Sequence, residues 1–190
     1  MNAFIEQELS EHCDVIKALG SLTRDIADAA RLCSAALDRG GRIYLCGNGG
    51  SAGDAQHIAA ELIGRLIHDR KSLPAVALTT DTSALTAIAN DYGYDHVFAR
   101  QVEGLLSPGD VLIAISTSGN SANVLNAVDT AFEKGGTVVA LSGKDGGELA
   151  RRVDGCITVP SQTTARIQEC HILIGHILCG LIESELGLRQ

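Results

Sequence analysis

From Arg42 onward the chain alternates short apolar runs with segments of helical periodicity, and this alternation limits the possible folds more than any other feature. The runs are Ile43-Tyr44-Leu45-Cys46, Ala75-Val76-Ala77-Leu78, Val111-Leu112-Ile113-Ala114-Ile115, Val138-Val139-Ala140-Leu141 and Cys156-Ile157-Thr158-Val159. Most lack the apolar–polar alternation of a strand with one wet face. They suit strands covered on both sides, as in a parallel sheet. Helices fit between and after them at about 52–67, 83–90, 94–105, 121–134, 146–152 and 164–187. The pattern predicts an α/β fold, a three-layer doubly wound five-stranded parallel sheet.

Residues 1–39 precede this pattern as a helical pair. Ile5, Leu9, Cys13 and Ile16 recur at three- and four-residue steps, as do Leu22, Ile26, Ala29, Cys33 and Ala36. Gly20-Ser21 marks a break between them, and Gly40-Gly41 ends the second. Their apolar stripes need a partner surface, from the sheet or from another subunit. The 190 residues are a length typical of one domain, and no linker or repeat divides 1–190.

Several function classes are disfavoured. The chain has 15 basic and 23 acidic residues, a net charge of −8, which argues against a general polyanion-binding surface. Aromatics are 3% with no Trp, too few for base stacking, so no nucleic-acid partner is expected. The six cysteines form no C-x-x-C pair and fit buried, reduced thiols in a cytoplasmic protein. The N-terminus lacks a secretory pattern, and the apolar stretch 172–182 is short for a bilayer span, so no membrane partner is expected.

Ligands of open parallel sheets sit beyond the carboxyl ends of the strands. After the first strand comes Gly47-Asn48-Gly49-Gly50-Ser51-Ala52-Gly53-Asp54, and after the third Ser116-Thr117-Ser118-Gly119-Asn120-Ser121, each opening a helix. Glycines allow close backbone approach, and hydroxyls beside a helix N-terminus favour an anion. The first loop loosely satisfies G-x-G-x-x-A, but no Lys-Ser/Thr ending follows, so no nucleoside triphosphate is expected. A dinucleotide site would need an acidic ribose-binding residue and not a second Ser-Thr-Ser turn, so no nucleotide cofactor is expected either. Two Ser- and Gly-rich loops together favour a sugar phosphate.

Ionisable groups cluster around these loops. His57 and Glu61 share one face of the first helix, although Glu61 is also spaced from Arg65 as an ordinary surface ion pair. The last helix carries Gln168, Glu169, His171 and His176. Gln168 and His176 lie about 80° apart around the axis and about 12 Å along it. Each histidine in this apolar helix needs a partner, since an unpaired buried polar group costs roughly 1–3 kcal/mol. His171 fits a satisfied core histidine, and His176 a partner in proton transfer.

The segments Cys46-Gly47-Asn48-Gly49-Gly50-Ser51, Asp54-Ala55-Gln56-His57, Ala60-Glu61-Leu62, Ser116-Thr117-Ser118-Gly119-Asn120-Ser121 and Arg166-Ile167-Gln168-Glu169 with His176 carry a specific resemblance. In this order, with Leu78–Leu85 and Asn90-Asp91-Tyr92-Gly93, they resemble the bacterial phosphoheptose isomerases of the sugar isomerase (SIS) domain family. The resemblance implies the SIS fold and interconversion of D-sedoheptulose 7-phosphate with D-glycero-D-manno-heptose 7-phosphate. That reaction opens the route to ADP-heptose and the lipopolysaccharide core. It implies substrate contacts from Asn48, Gly49, Gly50, Ser51, Glu61, Asn90, Asp91, Ser116, Thr117, Ser118, Ser121 and Gln168. Glu61 and His176 become the acid/base pair, and His57, Glu61, Gln168 and His176 a site for one Zn²⁺ per subunit. It also implies a homotetramer with active sites at subunit interfaces, in which residues 1–39 find their partner surface. Ala165 stands where several members carry Asp. Rival readings are a non-catalytic SIS tetramer binding the replication initiator DnaA, a sugar-phosphate sensor, or an isomerase of another ketose phosphate. His176 favours the enzyme, because the DnaA-binding relatives lack that second helix histidine.

Overall fold

The computed structural model describes residues 1–153 and 155–188. Five parallel strands, β1 (Ile43–Gly47), β2 (Ala75–Ala77), β3 (Val111–Ser116), β4 (Thr137–Gly143) and β5 (Cys156–Val159), form one sheet in the order β2-β1-β3-β4-β5. The doubly wound α/β expectation holds. Along β1 and β3 every residue is buried, yet successive side chains feed different cores. Ile43, Leu45, Val111, Ile113 and Ile115 face one helical layer, while Tyr44, Cys46, Leu112 and Ala114 face the other. This two-residue period is hidden in the sequence because both faces are dry.

The first layer holds α2 (Thr23–Asp38), α3 (Gly50–Ile63) and α8 (Thr164–Glu185). The second holds α4 (Thr82–Tyr92), α5 (Ala99–Leu105), α6 (Ala122–Glu133) and α7 (Gly147–Arg152). α8 is apolar and long enough to cross a membrane, but its buried face, with Ile167, Cys170, Ile174 and Leu178, packs into the first core. The N-terminal pair is present as α1 (Asn2–Ala18) and α2, joined by a 3₁₀ turn over Leu19–Leu22. α1 buries none of its residues and leaves Phe4, Ile5 and Leu9 exposed. Arg166 donates to the Glu8 carbonyl, Thr163 to the Glu11 carboxylate, and His12 pairs with Glu169, tying α1 to the start of α8.

Two helix boundaries differ from expectation. α3 ends at Ile63 rather than near 67, because the chain leaves the helix at Gly64 while apolar residues continue through Leu66 and Ile67. The segment 94–105 is broken into a 3₁₀ turn, Tyr94–His96, and α5. It follows Gly93, whose φ of +90° closes α4 in a conformation suited to glycine. All six cysteines are free thiols; Cys13 is exposed on α1, whereas burial pushes Cys33, Cys46 and Cys179 up to about 12.

Candidate active site

The strand order places the topological switch between β1 and β3, where connections leave for opposite faces and a crevice opens at the strand ends. Both glycine-and-serine loops lie at that point. Gly49, at φ +57°, precedes the first turn of α3, where the Ser51 and Ala52 amides donate to the Asn48 and Gly49 carbonyls. In the second loop the Ser116 and Ser121 hydroxyls bond each other at 3.0 Å. Neither α3 nor α6 is capped by a side chain of the residue that precedes it. The Gly50 amide of α3 and the Ala122 and Asn123 amides of α6 make no backbone hydrogen bond among the described residues and remain available to an anion.

Two residues outside the sequence expectation join the loops. Asn123, buried in α6, exchanges amide hydrogen bonds with Asn48 at 2.8 and 2.9 Å, and the Tyr94 hydroxyl donates to Asn48 at 3.1 Å. The sequence signal for Asn123 was an amide on the apolar face of α6, beside Val124, Ala127 and Val128. Gly119, at φ +66°, lies so close to the Gly146 carbonyl that a side chain there would overlap it. The loop after β4 thus closes against the serine loop, and the Asn120 side chain accepts from the Glu148 amide.

The ionisable residues meet where α3 and α8 run side by side in the same direction. Three close approaches form the seam. At the head of α3, the Gln168 amide occupies the space a side chain on Gly50 would need. Midway, Ile58 fills the space a side chain on Gly175 would need. At the end, the Leu66 amide and Arg70 reach Glu183. His57 stands just before Ile58, and His176 just after Gly175. Their Nε2 atoms are 2.9 Å apart, with ring centroids separated by 5.0 Å and planes at 65°. Glu61 brings Oε1 to 3.3 Å from His57 Nε2. His57, Glu61 and His176 thus offer ligand atoms that all lie within 4.8 Å of one another. Arg65 lies beyond the helix end and donates to the Ile67 carbonyl, so the Glu61–Arg65 ion pair does not form.

This cluster fits a metal ion. Ligands at about 2.0–2.1 Å around a tetrahedral Zn²⁺ stand about 3.3 Å apart. The His57–Glu61 separation matches that spacing, and the imidazole pair needs to open by only a few tenths of an ångström. Gln168 stands at the head of the seam, against Gly50. Asp54, one turn before His57, has a buried Oδ2 with no partner among the described residues. Burial raises its carboxyl to about 6, against the opposing attraction of His57.

The remaining expected residues are placed as follows. Ser51 and Ser116 are buried beside the loops, and Thr117 and Ser118 are half-buried. Asn90 and Asp91 are exposed on the last turn of α4, where Asn90 donates to Asp91 at 2.7 Å. His171 is a core histidine, with Nε2 2.9 Å from the Ser142 carbonyl oxygen, and burial lowers it to about 4.

Comparison with known proteins identifies the family. Residues 9–143 match the SIS domain model. The phosphoheptose isomerase of Rhodospirillum rubrum is 53% identical over 186 residues, covering 96% of this chain and 99% of its own. That of Nitratiruptor sp. is 58% identical over 180 residues, covering 94% and 96%. The structure of phosphoheptose isomerase from Neisseria gonorrhoeae superposes with a TM-score of 0.92 at 49% identity, covering 96% of this chain and 98% of that one. With uncapped loops at the switch point and an acid/base cluster beside them, the chain is an isomerase and belongs to the phosphoheptose isomerase family of SIS domain proteins.

Proposed function

We propose that the chain interconverts D-sedoheptulose 7-phosphate and D-glycero-D-manno-heptose 7-phosphate in the cytoplasm, at the first step toward ADP-heptose and lipopolysaccharide core heptose. The observation that carries this reading is the convergence of His57, Glu61 and His176 on the seam that opens from the first anion loop. Ser51, Ser116, Thr117, Ser118 and Ser121, with the amides of Gly50, Ala122 and Asn123, hold the phosphate. Asn48, Gly49, Gly50, Asn90, Asp91 and Gln168 line the sugar. Binding energy from the remote phosphate orients the reacting end.

Glu61 takes a proton from C1 and returns it to C2. His176 protonates the C2 carbonyl oxygen as the ene-diol forms, then takes the proton from the C1 hydroxyl as the aldehyde forms. His57, Glu61 and His176, with Gln168 as fourth ligand, would hold Zn²⁺, and a Glu61 bound to the ion would be a weaker base than a free one. When bound there, the ion supplies a Lewis acid that polarises the carbonyl.

The whole chain, 1–190, acts as one SIS domain, and residues 1–39 bury their exposed apolar stripe in a homotetramer whose subunits complete one another's sites. Light scattering after size exclusion checks this, and a monomeric mass rules it out. The deciding experiment for activity is an assay with sedoheptulose 7-phosphate before and after chelation, with zinc add-back. Turnover lost on chelation and restored by zinc supports the whole reading. No turnover by zinc-loaded protein overturns the substrate, and undiminished turnover by zinc-free protein overturns the metal site.

A further inference from the structure

At the far end of the seam, Arg70 enters from the loop after α3 with its side chain only 2% exposed, paired with Glu183, also 2% exposed. Nε donates to Glu183 Oε1 at 2.8 Å. Nη2 donates to the Glu61 carbonyl at 2.7 Å, and Nη1 to the Leu62 and Gly64 carbonyls at 2.9 and 3.3 Å. The last carbonyls of a helix have no partner within it and carry the negative end of its dipole. A guanidinium from the following loop therefore closes α3, and one of the groups it holds is the backbone of Glu61 itself.

Glu183 lies seven residues beyond His176, two turns along the same face of α8. The pair therefore links the main chain of the working carboxylate to the helix that carries the working imidazole. A buried ion pair is weak evidence for stability, since apolar residues of similar volume often replace one at no loss. Its geometry accounts for it better. The planar fork of Arg serves both helices at once, whereas a Lys ammonium could not span the same acceptors.

We propose that Arg70 and Glu183 are positioning residues that fix the spacing of His57, Glu61 and His176 by clamping α3 to α8. The inference rests on the reading of that trio as the working site. The test compares Arg70→Lys, Glu183→Gln and the double variant Arg70→Met/Glu183→Leu with the parent. The readouts are kcat, KM, Tm and cobalt(II) titration of metal-free protein followed by its visible absorption. Supporting residues of metal ligands typically affect affinity or activity by about 10–100-fold. Arg70→Lys and the double variant should lose about 10-fold or more in kcat and in cobalt affinity, with KM within about 3-fold. The double variant should melt near the parent. Glu183→Gln, which keeps an acceptor for Nε–H, should melt lower yet retain at least half of kcat. Parental kcat and cobalt affinity in Arg70→Lys or in a folded double variant overturn the proposal. So does a Glu183→Gln loss of kcat as large as that of Arg70→Lys. If the double variant does not fold, the two single variants decide. Cobalt affinity is read without sugar, so the clamp is tested even if the parent fails to turn over sedoheptulose 7-phosphate.

Discussion

Gly175→Ala tests the seam directly. A Cβ on residue 175 would sit 2.6 Å from both Cγ1 and Cδ1 of Ile58, whereas ordinary contact begins near 3.4 Å. Rotating the Ile58 tip cannot relieve both contacts, because the whole branch is buried at 1% exposure. The helices must part by nearly 1 Å beside His57 and His176. Overpacking of this kind costs about 1–3 kcal/mol. The better helix propensity of Ala returns about 1 kcal/mol, so Tm should fall by no more than about 8 °C. Activity should suffer far more, because a displacement of about 1 Å at reacting groups costs about 10²-fold. Adding Ile58→Ala removes both crowded atoms and lets the helices close. It should recover much of kcat while lowering stability by a further ~2–4 kcal/mol. Activity and stability then move in opposite directions, which general damage to the fold cannot produce. Steady-state kinetics and thermal melts of the parent, single and double variants suffice. A Gly175→Ala enzyme within twofold of the parent in kcat, or no recovery on adding Ile58→Ala, refutes the reasoning.

Glu61→Gln and His176→Asn should each lower turnover by about 10²-fold or more, as expected for loss of a general acid or base. Near-normal turnover in either, measured with sedoheptulose 7-phosphate, removes that residue from the proton-transfer pair. A further expectation concerns acid stability. His171 titrates near 4 when folded against 6.5 as the ordinary value. Between those values the unfolded chain binds a proton that the folded chain does not. Stability is therefore complete above pH 6.5 and falls by about 3 kcal/mol as pH drops to 4. Asp54, raised to about 6, acts with the opposite sign below that pH, so parent and His171→Gln must be compared. Urea unfolding from pH 7.5 to 4.5 should show a shallower loss in His171→Gln, and equal slopes contradict the assignment.

Much of this architecture was legible because short unbroken apolar runs mark strands covered on both faces and helix stripes recur at three- and four-residue steps, and neither signal needs tertiary context. The two loops and the His57–Glu61 face belong to that local information. Boundaries were less legible where the apolar pattern outlasts the helix, as at Leu66 and Ile67, or where a single glycine breaks a continuous one, as at Gly93. Gln168 and His176 were visible as residues, but their relation to α3 depends on two helices running in parallel. Arg70 gave no local sign, since a basic residue in a loop is ordinarily solvated. Its burial follows from the open carbonyls of a helix end and from an acid 113 residues away. Asn123 and Tyr94 escaped notice because an amide pair across two helix starts is a property of the fold and leaves no motif.

The seam also separates what can change from what cannot. At Gly50 and Gly175 the neighbouring helix has taken the volume a side chain would fill, so the reacting end of the pocket is built on a rigid frame with two obligatory gaps. The opposite wall, made from turns at strand ends, is interlocked where Gly119 and Gly147 meet the facing loop, but its rim at Asn90 and Asp91 is exposed. Attempts to make this protein accept a shorter or longer sugar belong on that wall, since alterations along the interlocked helices would disturb the chemistry before they altered the choice of substrate.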